Sequence, residues 1–208
     1  MTILFSYDSI IRRGEKILSD KTKPHSSKNR IKIYVLISLF TALTAVCSFV
    51  TIPSAIPFTL QTFGVFVTLL MLGGKYGTIS VCLYIIAGIV GVPVFSGFSG
   101  GLGHLLGATG GYITGFILIC LFYWLITSLF GKKLFIKAIG LTVGLFLCYL
   151  FGTLWYTSVF VGTLTLKSFA DSFIICVLPF LISDFIKIAV ALIVEHKITS
   201  AKQFNITQ

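Results

Sequence analysis

A series of long apolar runs constrains this chain more than any other feature. A helix rising about 1.5 Å per residue needs about 20 mainly apolar residues to cross the hydrocarbon layer of a bilayer. Six candidates stand between Gly, Pro and charged breaks. They run from about Ile31 to Ile52, ending at Pro53; Phe58 to Leu72, ending at Gly73 and Gly74; Tyr76 to Val90; Thr109 to Phe130; Leu134 to Gly162; and Ser172 to Val194. The second and third are short for a span, and the others have ample length. With 56% hydrophobic and 11% charged residues, against about 25% charged in soluble domains, the chain lacks the polar coat of a soluble fold. The expectation is an all-α membrane protein, a bundle of six transmembrane helices with N and C termini cytoplasmic.

The basic residues fit that topology. Cytoplasmic connections carry the Lys and Arg excess, and here the basic groups alternate. The N-terminal tail, Lys75, the Lys132, Lys133 and Lys137 cluster, and Lys197 and Lys202 fall on one side; only Lys167 falls on the other. The loops Thr51 to Pro57 and Gly91 to Leu106 contain no Lys or Arg. The net charge of +10 therefore reads as a topology signal and not as a nucleic-acid surface. The implied organisation is a basic cytoplasmic tail over 1–30, a membrane domain over 31–195 and a cytoplasmic C-terminal tail over 196–208. The first thirty residues mix acidic and basic groups and lack the apolar core of a signal peptide.

Several chemistries are excluded. Cys47, Cys82, Cys120, Cys148 and Cys176 lie singly in apolar segments, without the spacing of a metal cage. Gly73-Gly74-Lys75-Tyr76 lacks the Ser or Thr of a P-loop and has Leu69 where its first Gly belongs. The glycine-rich outer stretch fails the dinucleotide fingerprint at Leu106. No cofactor, metal or catalytic residue is expected, and ATP should not bind this chain.

What remains is a small set of polar groups in or near hydrocarbon. Asp184 and Lys187 share one face of the last span. Each charge at mid-helix costs roughly 2.5 to 3.5 kcal/mol on an insertion scale, so intramembrane charges mark functional sites by default; a pair that only satisfies itself is the alternative. The loop Gly91-Val-Pro-Val-Phe-Ser-Gly-Phe-Ser-Gly-Gly-Leu-Gly-His104 is too irregular for lipid contact and suits a pocket cap or a surface turn. Gln61 admits ligand contact or an inter-helix hydrogen bond, and Trp155 an interfacial belt or a flat pocket wall. His104 lacks a second ligating neighbour and reads as a loop residue. Ser38, Ala42 and Ala45 give the first span a face of small residues, suited to internal packing or to a partner helix.

Four stretches carry a resemblance: Ile56-Pro57-Phe58-Thr59-Leu60-Gln61, Leu72-Gly73-Gly74-Lys75-Tyr76-Gly77, Gly88-Ile89-Val90-Gly91-Val92-Pro93-Val94-Phe95 and Gly107-Ala108-Thr109-Gly110-Gly111-Tyr112. In order and spacing, from about residue 31 to 195, the chain resembles the BioY family, the biotin-specific substrate-binding S components of energy-coupling factor transporters. The resemblance implies biotin binding from outside and delivery across the plasma membrane of a prokaryote. It implies partners too: a transmembrane T component and two ATPase subunits. It places the acidic residue and lysine that contact the biotin ureido ring on Asp184 and Lys187. The contact for the carboxylate tail falls on Ser99, with Gly100 and neighbouring backbone N–H groups, and the T-component surface on Ser38, Ala42 and Ala45. The sequence departs from the family pattern at Ala108, which stands for a Pro, and at Ile113, where some members carry an Arg.

Overall fold

The computed structural model describes residues 25–52 and 58–200, with side chains from Asn29 onward. Residues 1–24 of the tail expected over 1–30, the connection 53–57 with its Ile56-Pro57 motif, and residues 201–208 with Lys202 lie outside the described residues. The chain divides into two compact units, Met1–Val35 and Leu36–Gln208. In the first, the described residues form the opening turns of helix α1 (His25–Phe49), with Ile31, Tyr34 and Val35 exposed. All that follows concerns the second unit.

After α1 come a short antiparallel pair, β1 (Thr51–Ile52) and β2 (Phe58–Thr59), in register Thr51 with Thr59 and Ile52 with Phe58. Then follow α2 (Gln61–Ile89), a 3-10 turn at Ser96–Phe98, α3 (Leu102–Leu105), α4 (Gly110–Phe130) and α5 (Leu134–Tyr156). A π-helical turn at Thr157–Val161 leads to α6 (Leu166–Cys176) and α7 (Leu178–Ser200). By length and composition, four of the described helices can cross a membrane, or five when the bent pair α6 and α7, which meet at 49°, counts as one span. Their outward surfaces are apolar, with Leu39, Ile86, Leu129, Phe151 and Ile182 all exposed. That is the surface expected of a multi-pass membrane protein, whose outside faces lipid.

Helix α2 is continuous only nominally. Gly73 has φ 74° and ψ 174°, a conformation open to glycine and strained for other residues. A Cβ on Gly77 would lie 3.0 Å from Leu69 Cα, though eight residues along one straight helix separate by about 12 Å. At the other end Gln61 Nε2 donates to the Tyr84 hydroxyl at 2.7 Å across 23 residues. The chain therefore folds back at Gly73 into two antiparallel halves, which accounts for the two short apolar runs in the sequence.

Helices pack closely because glycines let them. A Cβ on Gly111 would come within 2.3 Å of Trp155 Cβ, on Gly115 within 2.8 Å of Cys148 Sγ, on Gly144 within 2.9 Å of Ile119 Cα, and on Gly152 within 2.3 Å of Tyr112 Cδ1. These four line the α4–α5 seam. In lipid, where hydrophobic burial does not drive helix association, such close backbone approach supplies the packing energy. Hydroxyls join α1 to α2: Thr41 Oγ1 donates to Ser80 O at 3.0 Å, and the Thr44 and Thr68 hydroxyls are 3.3 Å apart.

Candidate functional site

Asp184 and Lys187 sit one turn apart on α7, and only 2% and 7% of their surfaces are exposed. Lys187 Nζ donates to Asp184 Oδ1 at 2.7 Å, to Thr59 O at 2.7 Å and to Thr62 Oγ1 at 3.0 Å. It also lies 4.7 Å from the centre of the Phe58 ring, within cation–π range. The Thr62 hydroxyl donates to Asp184 Oδ1 at 3.0 Å, and the Tyr149 hydroxyl donates to Oδ2. All three ammonium protons are engaged, while the carboxylate accepts three bonds of the roughly four it can take. Spare acceptor capacity remains on Oδ2.

This cluster opens on a cavity. Thr59, Gln61, Thr62, Tyr149, Asp184 and Lys187 supply one set of polar groups to its lining, and Ser96 and Thr109 supply another. Between them the lining is apolar and aromatic: Tyr112, Ile113, Phe116, Leu145, Cys148, Cys176 and Phe180. A polar cluster with one anion and one cation, set in an apolar cavity, suits a compact guest that carries both donors and an acceptor, joined to an apolar body.

The loop between α2 and α4 is anchored from within. Phe95 is fully buried, 5.6 Å edge-on to Tyr84 and stacked 5.3 Å from the His104 ring. A Cβ at Gly88 would lie 2.0 Å from Phe95 Cζ. Ser48 Oγ and Tyr84 Oη both donate to Val94 O, and Gly101 N donates to Gly88 O at 2.7 Å. Ser99 Oγ donates to Ser96 O at 2.7 Å, so it accepts from His104 Nδ1 at 3.0 Å; His104 Nε2 lies 3.3 Å from the Thr109 hydroxyl. Burial holds the imidazole pKa below its ordinary value, which favours the neutral ring.

The structure brings Asp184, Lys187 and Gln61 together in the cavity lining; Gln61 is at once a lining residue and an inter-helix donor to Tyr84. Ser99, Gly100 and Trp155 stand outside that lining. Ser99 is engaged with Ser96 and His104; Gly100 is exposed, where a Cβ would meet Val92 O at 2.5 Å. Half-buried Trp155 donates from Nε1 to Gly107 O at 3.0 Å, tying α5 to the loop. Ser38 and Ala42 are exposed on α1 and Ala45 is buried. Sequence reasoning did not single out Thr62 or Tyr149. Thr62 follows Gln61 directly, whereas a tyrosine in an apolar run gives no sign of where its hydroxyl ends.

The family model described as "BioY family" matches residues 20–204. The chain belongs to the BioY family. Among BioY relatives, the probable biotin transporter BioY of Pyrococcus horikoshii is 39% identical over 164 residues, covering 78% of this chain and 93% of the relative. The biotin transporter BioY of Thermotoga maritima is 37% identical, covering 77% and 91%. The crystal structure of the S-component for biotin from an ECF-type ABC transporter superposes with a TM-score of 0.73 at 23% identity, over 84% of this chain and 94% of that one. This BioY family member shares its fold.

Proposed function

We propose that this chain takes up biotin: it captures the vitamin from outside and carries it across the membrane as the S component of an ATP-driven energy-coupling factor transporter. The observation that carries the reading is the buried Asp184–Lys187 pair lining an apolar cavity. A cyclic urea presents two N–H donors and a polarised carbonyl. The free acceptor capacity on Asp184 Oδ2 suits one N–H, and Lys187 suits the carbonyl once it releases one of its three protein acceptors. The apolar lining suits the fused sulfur ring and the aliphatic chain. The names of the relatives support the same substrate.

In this reading the protein is a substrate-binding subunit and not an enzyme; ATP hydrolysis belongs to two ATPase subunits that act through a transmembrane T component. Six crossings of a prokaryotic plasma membrane follow if the two halves of α2 each count as a crossing and α6 with α7 form one, with both termini in the cytoplasm. The exposed Ser38 and Ala42 would face the T component, with Ala45 admitting α1 to its own bundle. Ser99 and Gly100 would reach the biotin carboxylate after the outer loop rearranges, and Trp155 would hold that loop. Binding of labelled biotin, thiamine and riboflavin to the purified chain tests the proposal. Saturable binding of biotin alone is expected, and preference for either other vitamin would end it.

A further inference from the structure

The cavity beside Asp184 and Lys187 carries its charge at one place. Lys187 is the one cation in its lining among the described residues, and it is held against Asp184 at 2.7 Å. The connection 53–57, Pro-Ser-Ala-Ile-Pro, carries no charged residue either. Away from the pair and its immediate partners, the polar lining is Ser96 and Thr109, two half-buried hydroxyls. The titratable group set against Thr109 is His104, whose Nε2 lies 3.3 Å from the hydroxyl, and burial favours its neutral ring.

Helix α4 supplies the wall that leads to these hydroxyls. Thr109, Tyr112, Ile113 and Phe116 line the cavity, and their spacings of three, four and seven residues from Thr109 make one stripe about 10 Å long. A guest with its ureido ring on Asp184 and Lys187 thus has apolar wall beside its aliphatic chain, and Ser96 and Thr109 to receive the tail. Next to Ser96 the loop is open, with Gly97 and Phe98 exposed. A hydroxyl both donates and accepts, so it takes an amide N–H or carbonyl as well as a carboxylate oxygen. A cation would favour the carboxylate strongly, because charge-assisted hydrogen bonds are about twice as strong as neutral ones. Ser99 and Gly100, brought in by a rearranged loop, add a hydroxyl and a backbone N–H and no charge. We infer that the tail end of the cavity does not select for a free carboxylate, and that neutral amides of biotin, biotinyl-lysine among them, bind the same site alongside biotin. The added length of the amide passes Ser96 towards the exposed part of the loop. This inference rests on the biotin reading and extends its substrate class.

The test titrates biotin, biotinamide and biotinyl-lysine into the purified full chain by isothermal titration calorimetry. A carboxylate held by a cation would favour the free acid by about 10- to 150-fold. Both amides should instead bind within about tenfold of biotin. Amides weaker than that, with biotin still bound, overturn this inference and leave the biotin reading intact; absence of biotin binding sinks both. Ser96→Lys places an ammonium at the tail end and should shift the ratio of acid to amide affinity towards the acid by about tenfold or more. An unchanged ratio in the folded variant overturns the placing of the tail at Ser96 and Thr109. The comparison in the unaltered chain decides the main point whether or not that variant folds.

Discussion

Asp184→Asn separates a pair that serves a guest from a pair that serves only itself. Among the described residues, the Asp184 carboxylate is the charge that the structure sets against Lys187, which is 7% exposed. Removing one member of a buried ion pair costs about 3–5 kcal/mol, chiefly because the other charge is left uncompensated. Asp184→Asn should therefore lower the thermal stability of the ligand-free protein as well as its affinity for biotin. The affinity loss should be about 1.5 to 3 kcal/mol, the range for a hydrogen bond to a charged group, or about 10- to 150-fold in Kd. Adding Lys187→Met removes the orphaned cation with a side chain of similar length, and replacing a whole buried pair by apolar groups is often neutral. The double variant should regain most of its thermal stability and none of its biotin affinity. Isothermal titration calorimetry alongside thermal unfolding in the same detergent reads both quantities. If biotin affinity returned together with stability, the pair would be a packing device and the reasoning would fail.

Tyr149→Phe removes the phenol donor from Asp184 Oδ2; because that oxygen already has room for a ligand N–H, biotin affinity should change by less than about tenfold, and a larger loss by equilibrium dialysis would mean that the phenol orients the carboxylate for the ligand. Gly111→Ala drives a Cβ to 2.3 Å from Trp155 Cβ and should destabilise the α4–α5 seam by about 1–3 kcal/mol, read as a lowered unfolding temperature. Burial lowers the pKa of His104 in the loop, so unfolded and folded loops are both neutral well above pH 6.5 and only the unfolded loop gains the proton as pH falls through that value. Loop stability should therefore drop from pH 7.5 to pH 5, seen as faster hydrogen exchange at residues 95–105, and His104→Gln should remove the pH dependence.

The fold was legible wherever periodic hydropathy decides it. Apolar length marked α1, α4, α5 and the α6–α7 pair, and Gly73-Gly74 marked the reversal inside α2, because only glycine takes φ 74° without strain. The 49° bend between α6 and α7 left little trace, since Pro179, at the start of α7, sits in a run apolar enough to read as one helix. Asp184 and Lys187 were legible because charge inside hydrocarbon is costly and needs a reason. Thr62 and Tyr149, which complete their hydrogen bonds, were not: helical spacing says nothing about contacts between residues 35 and 122 positions apart. Ser99 stood out for its place in a glycine-rich loop, yet its hydroxyl bonds to Ser96 and His104. A local pattern identifies a loop as unusual without fixing which of its side chains turns inward.

The central claim is that an anion and a cation on α7 read the two ends of a cyclic urea. Competition between biotin and its imino analogue, in which the ureido oxygen becomes a nitrogen that is protonated at neutral pH, tests it most directly. A cationic group placed against Lys187 loses its acceptor and meets a like charge, so the analogue should bind at least a hundredfold more weakly than biotin at pH 7. Equal affinity of the two compounds at pH 7 would contradict the account.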